Sequence, residues 1–288
     1  MNDLTSSRTF EDGQEYRYTE QDFEAIATMV HAHAGICMPE GKAMLIYSRL
    51  AKFLREKDLR SFAEYVNIIR NDSAERARAI EALTTNHTKF FREIHHFDHF
   101  EQHLRRSYVD RLARGERIRI WSSAASSGEE IYSLAMCLLG TDMAEARRIC
   151  QGDVALLATD LAEHVLRTAE TGVYPASLKG DIPARYAQAW TRSEAQRFTI
   201  AQPVRNLIRF RRLNLLNAWP IKGQFDLILC RNVMIYFDEP TKELLLKRLA
   251  DQLVPGGILY IGHSERLVGP AAQHLVSVGQ TIYRKGAA

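Results

Sequence analysis

Between Arg117 and Ile261, short apolar runs of strand character alternate with stretches of helical periodicity, and that alternation admits few architectures. The runs are Arg117-Ile-Arg-Ile-Trp121, Val154-Ala-Leu-Leu-Ala158, Leu207-Ile-Arg-Phe-Arg211, Phe225-Asp-Leu-Ile-Leu229 and Ile258-Leu-Tyr-Ile261, with helices predicted at about 129–139, 161–171 and 239–253. Strand–helix alternation implies an α/β fold with a mostly parallel sheet covered on both faces. Segments 274–278 and 280–284 are separated only by Gly279, too little chain for a parallel crossover, so the sheet should finish with an antiparallel edge hairpin. The stretch after Gly172 is longer than a compact connection needs. Within it Ala189-Trp190 and Phe198-Thr-Ile200 flank the polar turn 191–196, which implies a small β insertion at about 185–206.

The first 85 residues carry no strand signal. Thr19 can cap a helix with Phe23, Ile26, Ala27 and Val30 at helical spacing, stopping at Gly35. The segment Lys42–Lys57 is amphipathic with a basic face that includes Arg49, Lys52 and Arg55. Ser61-Phe-Ala-Glu64 has capping-box spacing, and a fourth helix is predicted over Ser73–Leu83. A further long helix is expected from about Phe91 to Leu112. With 288 residues, two modest domains are expected, one all-α and one α/β.

A net charge of +3 argues against a surface built for nucleic acid. No apolar run is long enough to span a membrane, and the polar, mixed-charge start gives no secretory signal. The 4 cysteines show no CxxC, so a reducing, cytoplasmic home is expected.

In an open parallel sheet, ligands bind beyond the carboxyl ends of the strands. After the first strand comes Ser122-Ser-Ala-Ala-Ser-Ser-Gly-Glu-Glu130, small residues that admit a ligand close to the backbone. Glu129 and Glu130 would repel a pyrophosphate there, which disfavours a nicotinamide-dependent oxidoreductase, and would suit a ligand bearing an ammonium and a sulfonium. Equally, both could merely favour the positive end of a helix dipole. Asp160 stands where a carboxylate accepts hydrogen bonds from a ribose diol, or caps the next helix. Arg231, Asn232 and Tyr236 leave the fourth strand together in Cys230-Arg-Asn-Val-Met-Ile-Tyr-Phe237. Val233 and Met234 stand where nucleic-acid amino methyltransferases carry two prolines. His95, His99 and His103 share a helix face, but without a second ligand cluster no metal is expected.

Together, Leu83-Thr-Thr-Asn-His-Thr-Lys-Phe-Phe-Arg-Glu93, the 121–130 turn, Ala158-Thr-Asp160, Leu213-Asn-Leu-Leu216, the 225–237 block and the tail Gly262-His-Ser-Glu265 resemble the CheR family of chemotaxis receptor methyltransferases. The resemblance implies a Rossmann-like S-adenosylmethionine methyltransferase sheet with a small inserted β subdomain and an all-α N-terminal domain. Its boundaries would be a helical domain at 1–85, a linker and long helix at 86–115, and the methyltransferase domain at 116–288. It implies S-adenosylmethionine as cofactor and S-adenosylhomocysteine as product. Asn86, Thr88, Arg92, Glu129, Asp160, Asn214, Leu215, Arg231 and Asn232 would line the cofactor site, while Arg92 and Tyr236 would hold the substrate carboxylate. The implied reaction is esterification of glutamates on the cytoplasmic helices of chemoreceptors. The chain is then expected to be a monomer recruited to receptor arrays, with the basic helix facing acidic receptor helices and the β subdomain able to dock a receptor-tail tether. A cofactor-sensing module and a nucleic-acid methyltransferase are the alternatives.

Overall fold

The computed structural model describes residues 10, 15–84 and 86–286. Most of the stretch read above for a signal, and Thr85 at the expected domain end, lie outside the described residues. The chain forms two compact units, one holding the described residues before Asn86 together with Tyr236–Asp238, the other Asn86–Ile235 and Glu239 onward.

The first unit contains α1 (Glu20–Ala34), α2 (Ala43–Glu56), α3 (Phe62–Asn71) and α4 (Ser73–Leu83). Local chemistry sets their limits. Thr19 Oγ1 accepts the Asp22 N–H while the Asp22 carboxylate accepts the Thr19 N–H at 3.0 Å, and Gly35 ends α1 at φ 68°. Ser61 caps α3, but Glu64 reaches back one residue further than a capping box requires, to the Arg60 N–H at 3.0 Å. The helices bury Phe23, Ile26, Ile46, Leu50, Phe62, Tyr65, Ile80 and Leu83 against one another, each apolar chain contributing about 1.5–3 kcal/mol.

In the second unit the expected helix from Phe91 begins only at α5 (His95–His99) and continues through a π turn (Phe100–Leu104) into α6 (Arg105–Ala113). Phe91 and Glu93 adopt φ of 52° and 58°, which no right-handed helix accommodates. Then follow β1 (Ile118–Ser122), α7 (Glu129–Leu139), α8 (Met143–Gln151), β2 (Val154–Asp160), α9 (Glu163–Thr171), β3 (Val173–Pro175), α10 (Ala184–Trp190), β4 (Thr191–Glu194), β5 (Arg197–Ile200), α11 (Gln202–Asn206), β6 (Ile208–Arg212), β7 (Phe225–Cys230), α12 (Glu239–Asp251), β8 (Leu253–Ile261), β9 (Leu275–Gly279) and β10 (Ile282–Lys285).

The main sheet runs β6-β2-β1-β7-β8-β10-β9. Its first five strands are parallel, and β10 is antiparallel to both β8 and β9, as the short gap at Gly279 requires. Every residue of α7 is buried, so this helix has no polar face to show. The insertion is a separate sheet, β3-β5-β4. Here the sequence reading needs correcting: Ala189-Trp190 ends α10, and the polar residues 191–194 are themselves a strand. Trp190 is drawn into the helix by a distant partner, its Nε1 donating to the Gly140 carbonyl at 2.7 Å. The third strand, β3, lies before the expected insertion and pairs Tyr174 with Phe198. All four cysteines are free thiols, and among the described residues no helix is long and apolar enough to cross a membrane.

Candidate active site

The strand order reverses at β1, with β2 and β6 to one side and β7 and β8 to the other. In open parallel sheets such a reversal is where ligands bind, which here means beyond the carboxyl ends of β1 and β7. The turn after β1 is sewn to both neighbours. Ser123 donates its N–H to the Leu229 carbonyl of β7 at 2.9 Å, and Ala125 donates to the Thr159 carbonyl of β2 at 2.8 Å. Gly128 closes the turn at φ 95°, where an added Cβ would meet the Ala169 Cβ at 2.9 Å. Both the conformation and the space demand glycine.

The two glutamates that open α7 have different fates. Glu130 accepts from Arg231 Nη1 and from Ser122 Oγ, both at 2.8 Å. Glu129 is 3% exposed and receives the Ser127 hydroxyl at 2.7 Å; among the described residues no lysine or arginine forms an ion pair with it. Burial pushes its carboxyl above the usual range, and the Ser127 hydroxyl and His87 offset this only in part.

Asp160 combines both roles considered for it. Its Oδ2 accepts the Ser126 N–H of the β1 turn at 2.8 Å and its Oδ1 the Ala162 N–H at the start of α9 at 3.0 Å, and each oxygen keeps acceptor capacity for a ligand. Burial raises its pKa as well. Leu213 donates to the Asp160 carbonyl at 2.9 Å, which brings Asn214 and the buried Leu215 to the end of β2. Asn86 joins from the other side, its carbonyl accepting from Ser126 Oγ at 2.8 Å. The linker beyond it, carrying the half-buried Thr88, is pinned by Phe90 against Tyr174 and by the Phe91 N–H on Ser133 Oγ at 3.0 Å. Arg92 is half-buried, with Nη1 on the His87 carbonyl at 3.0 Å.

Arg231 is spent inside the protein. Its side chain is 1% exposed between Glu130 and Glu93, at 2.8 and 3.3 Å, and it donates to the Arg92 carbonyl. Asn232 turns at φ 58° and donates Nδ2 to Glu93 Oε1 at 3.1 Å. His263 Nδ1 lies 2.9 Å from the same Glu93 oxygen. Burial alone would raise the Glu93 pKa, but the Arg231 guanidinium, with His263 and Asn232, takes it down to about 2. Below this turn Glu265 accepts four backbone N–H groups, from Gly262, Asn232, Val233 and Met234, at 2.6 to 3.1 Å. The residue-by-residue reading missed Glu93 and Glu265 as organisers. The only trace of them was their place in the 83–93 and 262–265 motifs.

Tyr236 clusters with the helical unit, where its carbonyl accepts the Cys37 N–H at 2.7 Å and Lys42 Nζ lies 5.5 Å from its ring centre. It closes the 3-10 turn Met234–Tyr236, which follows Asn232 and Val233 directly. Along the expected histidine face, His99 and His103 lie with ring centres 4.9 Å apart. His95 and His96 reach Thr281 Oγ1 at 3.3 and 2.9 Å, and His99 reaches the Tyr260 hydroxyl at 2.8 Å. The ligand atoms that do converge there belong to Glu93, His95 and His96, but Arg231 already occupies the Glu93 carboxylate.

A reversal-point crevice with a small-residue turn, an unpaired carboxylate at the head of α7 and an acid at the end of β2 defines a domain of the S-adenosylmethionine-dependent methyltransferase class. Comparison with family models matches "CheR methyltransferase, SAM binding domain" over residues 86–283 and "CheR methyltransferase, all-alpha domain" over residues 21–84. The chain belongs to the CheR methyltransferase family. It is 42% identical to a probable chemotaxis protein methyltransferase of Rhizobium etli, over 89% of this chain and 96% of the relative. Chemotaxis protein methyltransferase 2 of Pseudomonas aeruginosa is 43% identical over 94% and 95% of the two chains. The Escherichia coli chemotaxis protein methyltransferase is 36% identical over 92% and 91%.

Proposed function

We propose that the chain esterifies glutamate side chains on the cytoplasmic helices of chemoreceptors, with S-adenosylmethionine as methyl donor. The observation that carries the reading is Glu129, a carboxylate buried at the reversal point without a lysine or arginine partner. The cofactor's ammonium supplies that charge, the ribose diol answers Asp160, and Asn86, Thr88, Asn214, Leu215 and Asn232 complete the wall.

Bound S-adenosylmethionine offers an electrophilic methyl group on a sulfonium. The protein's task is placement, because a glutamate side chain with a reference pKa near 4.3 is already ionised at neutral pH and needs no general base. Holding its oxygen in line with the methyl group accounts for about 7–11 kcal/mol of barrier. Arg92 holds the carboxylate through a charge-assisted hydrogen bond. Its grip has to stay loose, because the carboxylate loses charge as the ester forms and tight ground-state binding slows the step. Arg231 acts one layer behind, fixing Glu93 and Glu130 and so the turn that presents Asn232. The edge strand β4, paired only with β5, is the place for a receptor-tail peptide to add by strand pairing.

The test is incubation with methyl-labelled S-adenosylmethionine and receptor cytoplasmic fragments. Base-labile label on receptor glutamates is the expected result. Cofactor binding without any labelled acceptor would instead make the chain a sensing module, and label on DNA or RNA would make it a nucleic-acid methyltransferase.

A further inference from the structure

The sequence spacing suggested no metal site, yet within the helical unit three chemically matched ligands converge. His31 lies in the last turn of α1, and Gly35, at φ 68°, reverses the chain immediately after that helix. The reversal returns Cys37 toward the side from which His31 projects. There the Cys37 N–H donates to the Tyr236 carbonyl at 2.7 Å, fastening this corner to the segment Tyr236–Asp238 that belongs to the same unit. His31 Nε2 lies 2.9 Å from Asp238 Oδ2, and the imidazole nitrogen, the Cys37 sulfur and the Asp238 oxygen all fall within 4.8 Å of one another.

We propose that His31, Cys37 and Asp238 form a binding site for a thiophilic divalent cation, zinc(II) above all. Zinc takes thiolate, imidazole and carboxylate at about 2.0–2.3 Å in a tetrahedron, and three such ligands leave the fourth position to water. The ligand set excludes magnesium and calcium, which take oxygen donors. Zinc takes cysteine as the thiolate and histidine as the neutral imidazole, so metal uptake releases the thiol proton of Cys37. The backbone bond from Cys37 to Tyr236 holds the two chain segments together in advance, which lowers the ordering cost of coordination. A site with an open position on half-exposed residues exchanges its metal with solution. It would tie the end of α1 to the segment preceding α12 only when zinc is present.

Cobalt(II), a spectroscopic stand-in for zinc, tests this on the full-length, tag-free chain. Expected are a thiolate-to-cobalt charge-transfer band and the intense visible bands of four-coordination, both abolished by one equivalent of zinc. The bands persist in Cys150→Ser, which removes the exposed thiol, and vanish in Cys37→Ser. Asp238→Asn and His31→Gln weaken zinc binding by more than the roughly 10–100-fold loss that a change outside the ligand set causes. Circular dichroism of each variant verifies the fold, and hydrogen exchange reports protection of 236–238 on adding zinc. A wild-type chain without the charge-transfer band overturns the site, and so does a band that survives Cys37→Ser.

Discussion

Removing the charge of Glu129 while keeping its shape separates binding from stability. Glu129→Gln deletes a buried anion whose carboxyl burial already pushes up, so the ligand-free protein should melt at the same or a higher temperature. Its affinity for S-adenosylmethionine should fall about tenfold or more, at about 1.4 kcal/mol per decade. Calorimetry and thermal melts read the two effects, and a variant that binds as the wild type does would strip Glu129 of its role. Asp160→Ala should cost about 1.5–3 kcal/mol of cofactor binding, the worth of hydrogen bonds to a charged acceptor. Part of that loss comes from the β1 turn, because the Ser126 N–H loses its partner. Unchanged affinity in a folded Asp160→Ala protein would remove the residue from the site. For Arg92→Gln, single-turnover transfer at saturating cofactor should slow by about tenfold or more with cofactor affinity retained; a wild-type rate would mean that backbone groups hold the carboxylate. Residue types at strand ends were enough to single out Glu129 and Asp160 as candidates. They could not separate Glu129 from Glu130, because the difference lies in Arg231, a hundred residues away in the chain and aimed at one of the two.

The basic face of α2 divides when its contacts are followed. Arg49 Nη1 donates to the carbonyls of Ala82, Leu83 and Thr84 at 3.4, 3.0 and 2.8 Å and so caps the end of α4. Arg55 pairs with Glu15 at 2.7 Å, and Lys52 stays exposed, its Nζ 4.8 Å from the Phe53 ring centre. If this face meets an acidic receptor helix, its steering falls chiefly to Lys52. Lys52→Glu should slow receptor methylation and flatten its salt dependence without shifting the melting temperature. Arg49→Ala should instead lower stability by about 1 kcal/mol, read by urea unfolding. If both activity and salt dependence ignore the Lys52 reversal, the face is only solvated. Elements bounded by local signals were legible: α1 by Thr19 and Gly35, α3 by Ser61, and α7 by the turn before it. The junction of α10 and β4 was not, since Trp190 is placed by Gly140, and the late start of α5 has no sequence mark because left-handed Phe91 and Glu93 are ordinary residues. The zinc ligands were hidden for the same reason, with Asp238 far along the chain from His31 and Cys37.

Across the whole molecule, opposed sets of buried titratable groups decide how acid acts on the fold. Burial takes His96 from 6.5 to about 3, with Arg231 and His95 adding to the shift, and takes His99 to about 4. A base with a depressed pKa stabilises the fold fully above its unfolded value, and that stability is lost as pH falls from 6.5 toward the folded value. Glu93, lowered from 4.5 to about 2, follows the same sign but acts only below pH 4.5. Glu129, Asp160 and Glu265 run the other way, since burial raises their pKa values and acid relieves their charge. The contribution of the two histidines begins to fall away just below pH 6.5. For His96, fully buried and stacked on Tyr260 with ring centres 4.7 Å apart, the loss between pH 7 and pH 5 is about 2 kcal/mol, taking about 1.4 kcal/mol per unit below 6.5. His96→Phe keeps a flat ring against Tyr260 and cannot take a proton. Urea unfolding at pH 7 and pH 5 should show the wild type losing about 2 kcal/mol more than this variant over the interval. Equal losses in the two proteins would mean that His96 is already charged in the fold, and the acid sensitivity would then belong to His99.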